Sequence, residues 1–574
     1  MNIIAIATNN ILTKELRMKS LIKKPEVQYL IIYFLSLVIP VILFFNRQLD
    51  DNRLTSWWWV LSETRGYRLL ILLGLSQLAA FCVTRLRLQW RPSYLFLSAF
   101  LATAFFWSEP EVIVDAARYF TQAKQLNIYG LGYFFSQWGH DVFAWTDLPF
   151  VPMLYGLVFR VLGENRIWIQ VLNSLFFAGA VILTYRLGKI LWDEMLGRYA
   201  AFLLLGFPYV FTQVPLMLVD VPSMFFMLLA VYSFTCYLLE GGRKRFVTTS
   251  FAILFAVFSK YSLWIYLSVL VIVFMVVFFT RKDRVFIRCF FVFAAVLVFS
   301  GLLYLFWHDV MNGQIALLES YQKSGLQKWG ESFVSTFLFQ THPLLTATAV
   351  LSLGAALMKR DAKYLIISFL VIVVVLLQVK RIRYALPVFP MLALMSSYGI
   401  NQLRFPETRK LLVASIVFTS LFLSLGEYLP YLHRMSANNL QYAGKYLDDN
   451  HIASAGVVLL PQEEDILNPD ISLPILDIYT SSDLRMLANE DNKTIDREII
   501  NSSPLRFTWE YRLPAYYEEN DKEFKPEGLV IIGNAPDQIL PLSLKILAQK
   551  FKHRKMFETT TGNFTYNTTV TVYH

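Results

Sequence analysis

The chain runs to 574 residues, of which 56% are hydrophobic and only 16% charged, with a mean hydropathy of +0.47. A soluble protein of this length needs more charge to cover its surface. Its apolar residues also come in blocks of about 16–20, long enough as helix to cross roughly 30 Å of hydrocarbon. The net charge of +10 does not argue for nucleic acid, because most Lys and Arg sit in short loops between those blocks, where membrane topology accounts for them. The blocks lack the alternation of a membrane barrel. Backbone groups in lipid must be satisfied internally, which leaves an all-α polytopic bundle. Cys82, Cys236 and Cys289 lie in or beside apolar blocks without metal-ligand spacing, so neither a disulfide framework nor a zinc site is expected.

In chain order, residues 1–28 form a basic cytoplasmic segment, and no small-residue cleavage site follows the first apolar block, which therefore reads as an uncleaved span. About thirteen spans are expected, at 29–45, 69–84, 93–107, 167–185, 198–215, 222–239, 247–259, 263–279, 285–305, 343–358, 364–379, 385–400 and 410–428. Lys14, Arg17, Lys19, Lys23 and Lys24 keep the N-terminus inside. The loops holding Arg85/Arg87/Arg91, Arg243/Lys244/Arg245, Arg281/Lys282/Arg284, Lys359/Arg360/Lys363 and Arg404/Arg409/Lys410 then also fall inside. The loop 46–68 is outside on this scheme although it carries four arginines; its Trp57–Trp59 run suits an interface. The block 150–162 reaches only about 20 Å as helix, and counting it as a span would turn every later basic loop outward. It is read as a helix in the membrane plane within one long outer loop, 108–166.

The transmembrane domain thus covers 29–429, and 430–574 is read as a small extracytoplasmic α/β domain. Strands are expected at Ala455–Leu460 and Gly528–Ile532 and a terminal hairpin over Asn563–Tyr573. The sequons at Asn492, Asn501, Asn563 and Asn567 fit chance in an Asn- and Thr-rich tail better than glycosylation.

A few ionisable residues stand at outer helix ends where topology does not ask for them, and such residues are functional candidates. Asp115 follows the third span; held at a partly dry interface it would have a raised pKa and serve as a general base. The alternative is a helix-terminal acid on the dipole. Asp220, before Val221-Pro222, pairs with it as a second outer carboxylate, or simply starts a helix. Lys380-Arg381-Ile382-Arg383-Tyr384 puts three cations on the wrong side for topology and suits an anionic ligand such as a phosphate, with lipid headgroups as the alternative. Lys260 is a fourth outer cation, or a snorkelling one. No phosphate loop, dinucleotide fingerprint or Asp-x-Asp motif is present, so a sugar-nucleotide donor is not expected. His140, His308 and His342 read as polar loop residues, and neither a metal nor another cofactor is called for.

Taken in order, these segments resemble the GT-C superfamily of membrane glycosyltransferases, in its family-39-like, protein-mannosyltransferase-related group. Asp115-Ala-Ala-Arg-Tyr119 is similar to the family's first-loop Asp-Glu-Ala-x-Tyr motif, and Pro149-Phe-Val-Pro-Met-Leu-Tyr155 to its in-plane Pro-Pro-Leu-x-Tyr helix. Leu162-Gly-Glu-Asn-Arg166 and Tyr185-Arg-Leu-Gly-Lys189 follow the family's passage into its next span. Asp220-Val-Pro222 is similar to its Asp-x-Pro loop, Ser259-Lys-Tyr-Ser262 to Thr-Lys-Gly-Pro, and Arg383-Tyr-Ala-Leu-Pro-Val-Phe-Pro390 to Arg-Tyr-x-Leu-Pro-x-x-Pro. Ala116 departs from the pattern by replacing the acid beside the first Asp.

The resemblance implies a polyprenyl- or dolichyl-phosphate-linked sugar donor, a glycan, lipid or protein acceptor, and inverting transfer at the outer or lumenal membrane face. Asp115 would be the base and Asp220 would position the acceptor or tune Asp115. Lys260, Lys380, Arg381, Arg383 and Tyr384 would hold the donor phosphate, and the loop 306–342 would close over the substrates. The bacterial cell membrane is the expected location, with the endoplasmic reticulum second. The rival class, a transporter or flippase of lipid-linked or small solutes, predicts mid-membrane charges and repeat symmetry. The notable charges here lie at helix ends instead.

Overall fold

The computed structural model describes residues 24–51, 63–86, 91–144, 147–281, 284–317, 319, 331–461, 467–487, 505–518, 524–559 and 567–574. Lys14, Arg17, Lys19, Lys23, the Trp57–Trp59 run and the sequons at Asn492, Asn501 and Asn563 lie outside these residues. So does much of the expected closing loop, at 318 and 320–330.

The chain is mainly helical. In order come α1 (Pro25–Phe45), α2 (Gly66–Arg85), α3 (Pro92–Ala104), α4 (Ala116–Ser136), α5 (Phe150–Leu162), α6 (Arg166–Leu191), α7 (Glu194–Leu204) and α8 (Asp220–Glu240). There follow α9 (Arg243–Ser259), α10 (Val269–Arg281), α11 (Val285–Phe306), α12 (His308–Leu317), α13 (Pro343–Lys359), α14 (Tyr364–Leu376), α15 (Phe389–Ile400) and α16 (Pro406–Leu423). Several starts are written locally. Pro25, Pro92, Pro343 and Pro406 open their helices, where the missing N–H costs nothing. Asn165 and Asp193 cap α6 and α7 through their side chains.

Among the described residues, seven helices are long and apolar enough to cross a membrane: Glu26–Phe45, Gly66–Arg85, Arg166–Leu191, Asp220–Glu240, Leu263–Arg281, Val285–Phe306 and Pro406–Leu432. Four shorter apolar helices, α3, α5, α13 and α14, stand beside them. Two expected spans are broken. The block 198–215 is α7 plus a single turn, Pro208–Phe211, because Phe207 is extended ahead of Pro208, as a residue preceding proline prefers. The block 385–400 is split into Ile382–Ala385, the 3-10 turn Leu386–Val388 and α15.

One apolar core runs through α6, α7, α8, α13 and α15. A second, around Ala116, Phe120, Tyr155 and Phe159, joins α4 to α5. Gly156 permits that approach: a Cβ there would lie 2.7 Å from Leu126 Cβ and 2.9 Å from the Ala123 carbonyl.

The C-terminal region builds a five-stranded sheet of order β2-β1-β3-β5-β4, with β1 (Ser454–Leu459), β2 (Asp483–Met486), β3 (Gly528–Gly533), β4 (Arg554–Phe557) and β5 (Thr569–Tyr573). β1 pairs with β2 and β3 in parallel, while β5 runs antiparallel to both β3 and β4. The expected strands at 455–460 and 528–532 are present. Of the expected terminal hairpin, residues 563–566 lie outside the described residues; Thr569–Tyr573 is a single strand lying between β3 and the earlier Arg554–Phe557. Val457, Val530 and Val572 pack on one face with Leu440 of α17 (Ala437–Asp449) and Leu476 of α18 (Ser472–Asp477). Val458, Leu529 and Ile531 pack on the other with Leu544 of α19 (Leu542–Ala548). The first of these clusters also takes in Val114 and Ala117, the neighbours of Asp115.

Candidate active site

Asp115 holds the N-cap position of α4 and Asp220 the first helical residue of α8, behind Val219, where an acid can act on the helix start. Neither α4 nor α8 has a side-chain cap bond. Their carboxylates are used instead on cations from distant segments.

Arg383, on the single turn Ile382–Ala385, bridges the two acids: its Nη1 donates to Asp115 Oδ2 and its Nε to Asp220 Oδ2 at 2.8 Å. Lys260 leaves the end of α9 in an extended conformation, and its ammonium reaches Asp220 Oδ1 at 2.6 Å. Arg118, one turn along α4, donates to Asp115 Oδ1 at 3.0 Å and pairs with Asp147 at 3.5 Å. Asp147 also accepts from Tyr119 Oη at 3.2 Å and Gln122 Nε2 at 3.3 Å. Three carboxylates thus face three cations, and all six side chains are buried. Such a cluster is tolerable away from water only because every charge meets an opposite one.

The electrostatics split the acids. Burial opposes the charge on Asp115, yet Arg383, Arg118 and Arg381 outweigh it and hold its carboxyl well below the usual range. This corrects the sequence expectation of a raised value. In Asp147 burial prevails over Arg118, and the carboxyl is pushed up.

No protein-family model matches the chain, and no curated protein does. Among solved structures it is similar to ArnT from Cupriavidus metallidurans bound to undecaprenyl phosphate, with TM-score 0.50 and 14% identity over 84% of this chain and 97% of that one. The GT-C fold is shared. The apo state of the same protein aligns at TM-score 0.48 and 12% identity, over 84% of this chain and 97% of that chain. The archaeal oligosaccharyltransferase AglB from Archaeoglobus fulgidus, in complex with an inhibitory peptide and a dolichol-phosphate, gives 0.47 and 12% over 77% of this chain and 69% of that chain.

On this GT-C scaffold the expected site residues divide into two sets. Asp115, Asp220, Lys260 and Arg383 meet in the network. Tyr384 lies beside it, with the Lys260 ammonium 4.8 Å from its ring centroid and its hydroxyl 3.2 Å from that of Tyr261. The Arg381 guanidinium carbon lies 5.8 Å from the centroid of the same ring. Lys380 is exposed, and its carbonyl accepts from the Thr336 hydroxyl.

Sequence reasoning gave no role to Arg118, which stands inside the quoted Asp115–Tyr119 motif; its i, i+3 spacing from Asp115 was the available signal. It also missed a neighbouring group, in which Arg166 Nε donates to Glu111 at 2.8 Å beside Glu109. His342, expected as a loop residue, is buried and caps α13 through its Nδ1.

Proposed function

We propose that this protein is a glycosyltransferase that moves a sugar from a polyprenyl- or dolichyl-phosphate donor to an acceptor hydroxyl at the outer face of a cell membrane, with inversion. The observation supporting it most is convergence. Asp115, Asp220, Lys260 and Arg383 come from segments up to 268 residues apart in the chain and meet in one buried, charge-balanced cluster. The shared GT-C fold agrees with this reading.

The network supplies what the reaction needs. Lys260 and Arg383 neutralise the donor phosphate and the charge that develops on it as the C1–O bond to phosphate breaks. Arg383 suits this role because a guanidinium fork matches two phosphate oxygens. As Arg383 turns to the phosphate, Asp115 loses its strongest charge partner and becomes a competent base. It then takes the acceptor proton while the acceptor oxygen bonds to C1, and the lipid phosphate leaves. Asp220 keeps Lys260 and Arg383 aligned. Tyr384 and Arg381 line the phosphate side, and Lys380 contributes at the membrane surface.

Binding of undecaprenyl phosphate to the purified chain tests the phosphate assignment. Arg383→Ala is expected to weaken it by about 1.5–3 kcal/mol, the scale of a charged hydrogen bond. Arg383→Lys should recover only part, having no fork. Equal affinity in wild type and Arg383→Ala would assign the cluster to packing.

A further inference from the structure

The C-terminal region does not stand apart from the site. Lys124 of α4 is gripped by Asp477 of α18 at 2.6 Å and by Glu164 at 2.9 Å. Its ammonium lies 5.6 Å from the Tyr516 ring centroid and 5.9 Å from that of Tyr517. Six residues back along the same helix, nearly two turns, the Arg118 guanidinium lies 5.6 Å from the Phe507 ring centroid. Phe507 stands on a fixed turn, Arg506–Glu510. Thr508 next to it is buried; its hydroxyl donates to the Leu505 carbonyl at 2.8 Å and accepts from the Asn468 N–H at 3.0 Å.

Arg118 needs such support. Its Nε has no hydrogen-bond partner among the described residues. Its place is therefore set by Asp115, Asp147 and the ring faces of Phe507 and Tyr119, the latter at 5.8 Å. A guanidinium over an aromatic face is held by the ring quadrupole, more strongly when water is excluded.

We infer that Phe507 is a positioning residue for sugar transfer: its ring holds Arg118, and Arg118 aims and tunes Asp115. The inference rests on Asp115 being the base. Once the donor phosphate occupies Arg383, Arg118 is the principal cation left on Asp115, and a ring in the C-terminal region then governs the basicity of a carboxylate in the membrane domain. Loosening Arg118 removes positive charge from Asp115, raises the pKa of that carboxyl in the donor complex, and moves the acid limb of the rate to higher pH.

The test uses the purified full chain and the polyprenyl-phosphate sugar that wild type consumes fastest from a panel of undecaprenyl- and dolichyl-phosphate hexoses and pentoses. Sugar release at saturating donor is followed against pH. Phe507→Leu keeps an apolar side chain without a ring face. It should shift the acid limb up by about half a pH unit and lower the plateau about threefold, the range of a cation–π contact, with donor KM unchanged. Phe507→Tyr should restore both. Phe507→Met replaces Leu if the Leu variant does not fold. A wild-type profile in the ring-less variant overturns the inference, and so does a fall in plateau with no shift of the limb. Wild-type turnover by Asp115→Asn in the same assay, or no turnover of any donor by wild type, overturns the underlying reading instead.

Discussion

Two buried ionic groups lie close together at one end of the bundle, and they are built differently. In the Asp115–Asp220 network the charges bond mainly to one another, side chain to side chain, across α4, α8, α9 and the Arg383 turn. In the Glu111–Arg166 group the charges bond largely to backbone. Arg166 also donates to the carbonyls of Trp107, Glu109 and Pro215, and Glu111 accepts the Met217 N–H. Burial pushes both Glu109 and Glu111 up against the opposing charge of Arg166, and neither oxygen of Glu109 has a hydrogen-bond partner among the described residues. The second group is a staple that ties loops 107–111 and 215–217 to the start of α6. On the proposed function the first exchanges partners, since an arriving anion would displace a carboxylate from Arg383 without unpicking any backbone. Charge in a buried place is therefore a weak sign of function, and what the charge is bonded to is a better one.

The largest effect should come from breaking the staple. Arg166→Met leaves Glu111 buried without its cation and should cost about 3–5 kcal/mol of stability. It would be seen as loss of folded protein on heating in detergent, with donor affinity unchanged in the fraction that remains folded. Loss of donor binding at full stability would erase the distinction between the two groups.

The Lys124–Asp477–Glu164 clamp sharpens the comparison, being made of side chains like the site but joining the C-terminal region to α4. Burial, with help from Glu164, pushes the Asp477 carboxyl up to about 6 against the pull of Lys124. The unfolded chain has an ordinary value near 4, so the folded protein takes up this proton first. The stabilisation is then full below about pH 4 and is lost as pH rises through about 6, on the order of 2–3 kcal/mol. Thermal stability followed from pH 4 to 6.5 should show that decline in wild type and a flatter course in Asp477→Asn. An identical slope in both would place the titrating group elsewhere.

The sequence pointed to the charge network better than to the spans. Asp115, Asp220, Lys260 and Arg383 were legible because each is a charge at a helix end where topology gives no reason for one. Lys380 satisfied the same criterion and lies at the surface, since residue order does not say which of three adjacent cations turns inward. The pairing of Arg166 with Glu111 was invisible: they are 55 residues apart, and their other partners are carbonyls and an N–H that only the folded loops present. The blocks 198–215 and 385–400 look continuous from their apolar content, although Pro208, Pro387 and Pro390 already contain the breaks. β4 was missed because Arg554–Phe557 is half charged and carries no strand pattern.

The most direct test of the central claim is Asp115→Asn, measured for transfer and for undecaprenyl phosphate binding on the same preparation. Asn keeps the shape and removes the proton acceptor, and since the side chain does not cap α4, no helix bond is at stake. The expected result is a loss of transfer of at least about a hundredfold, the contribution of a general base, with the lipid phosphate still bound. Near wild-type transfer at normal expression would contradict the account and pass the role of base to Asp147, the acid in this network whose proton affinity is raised.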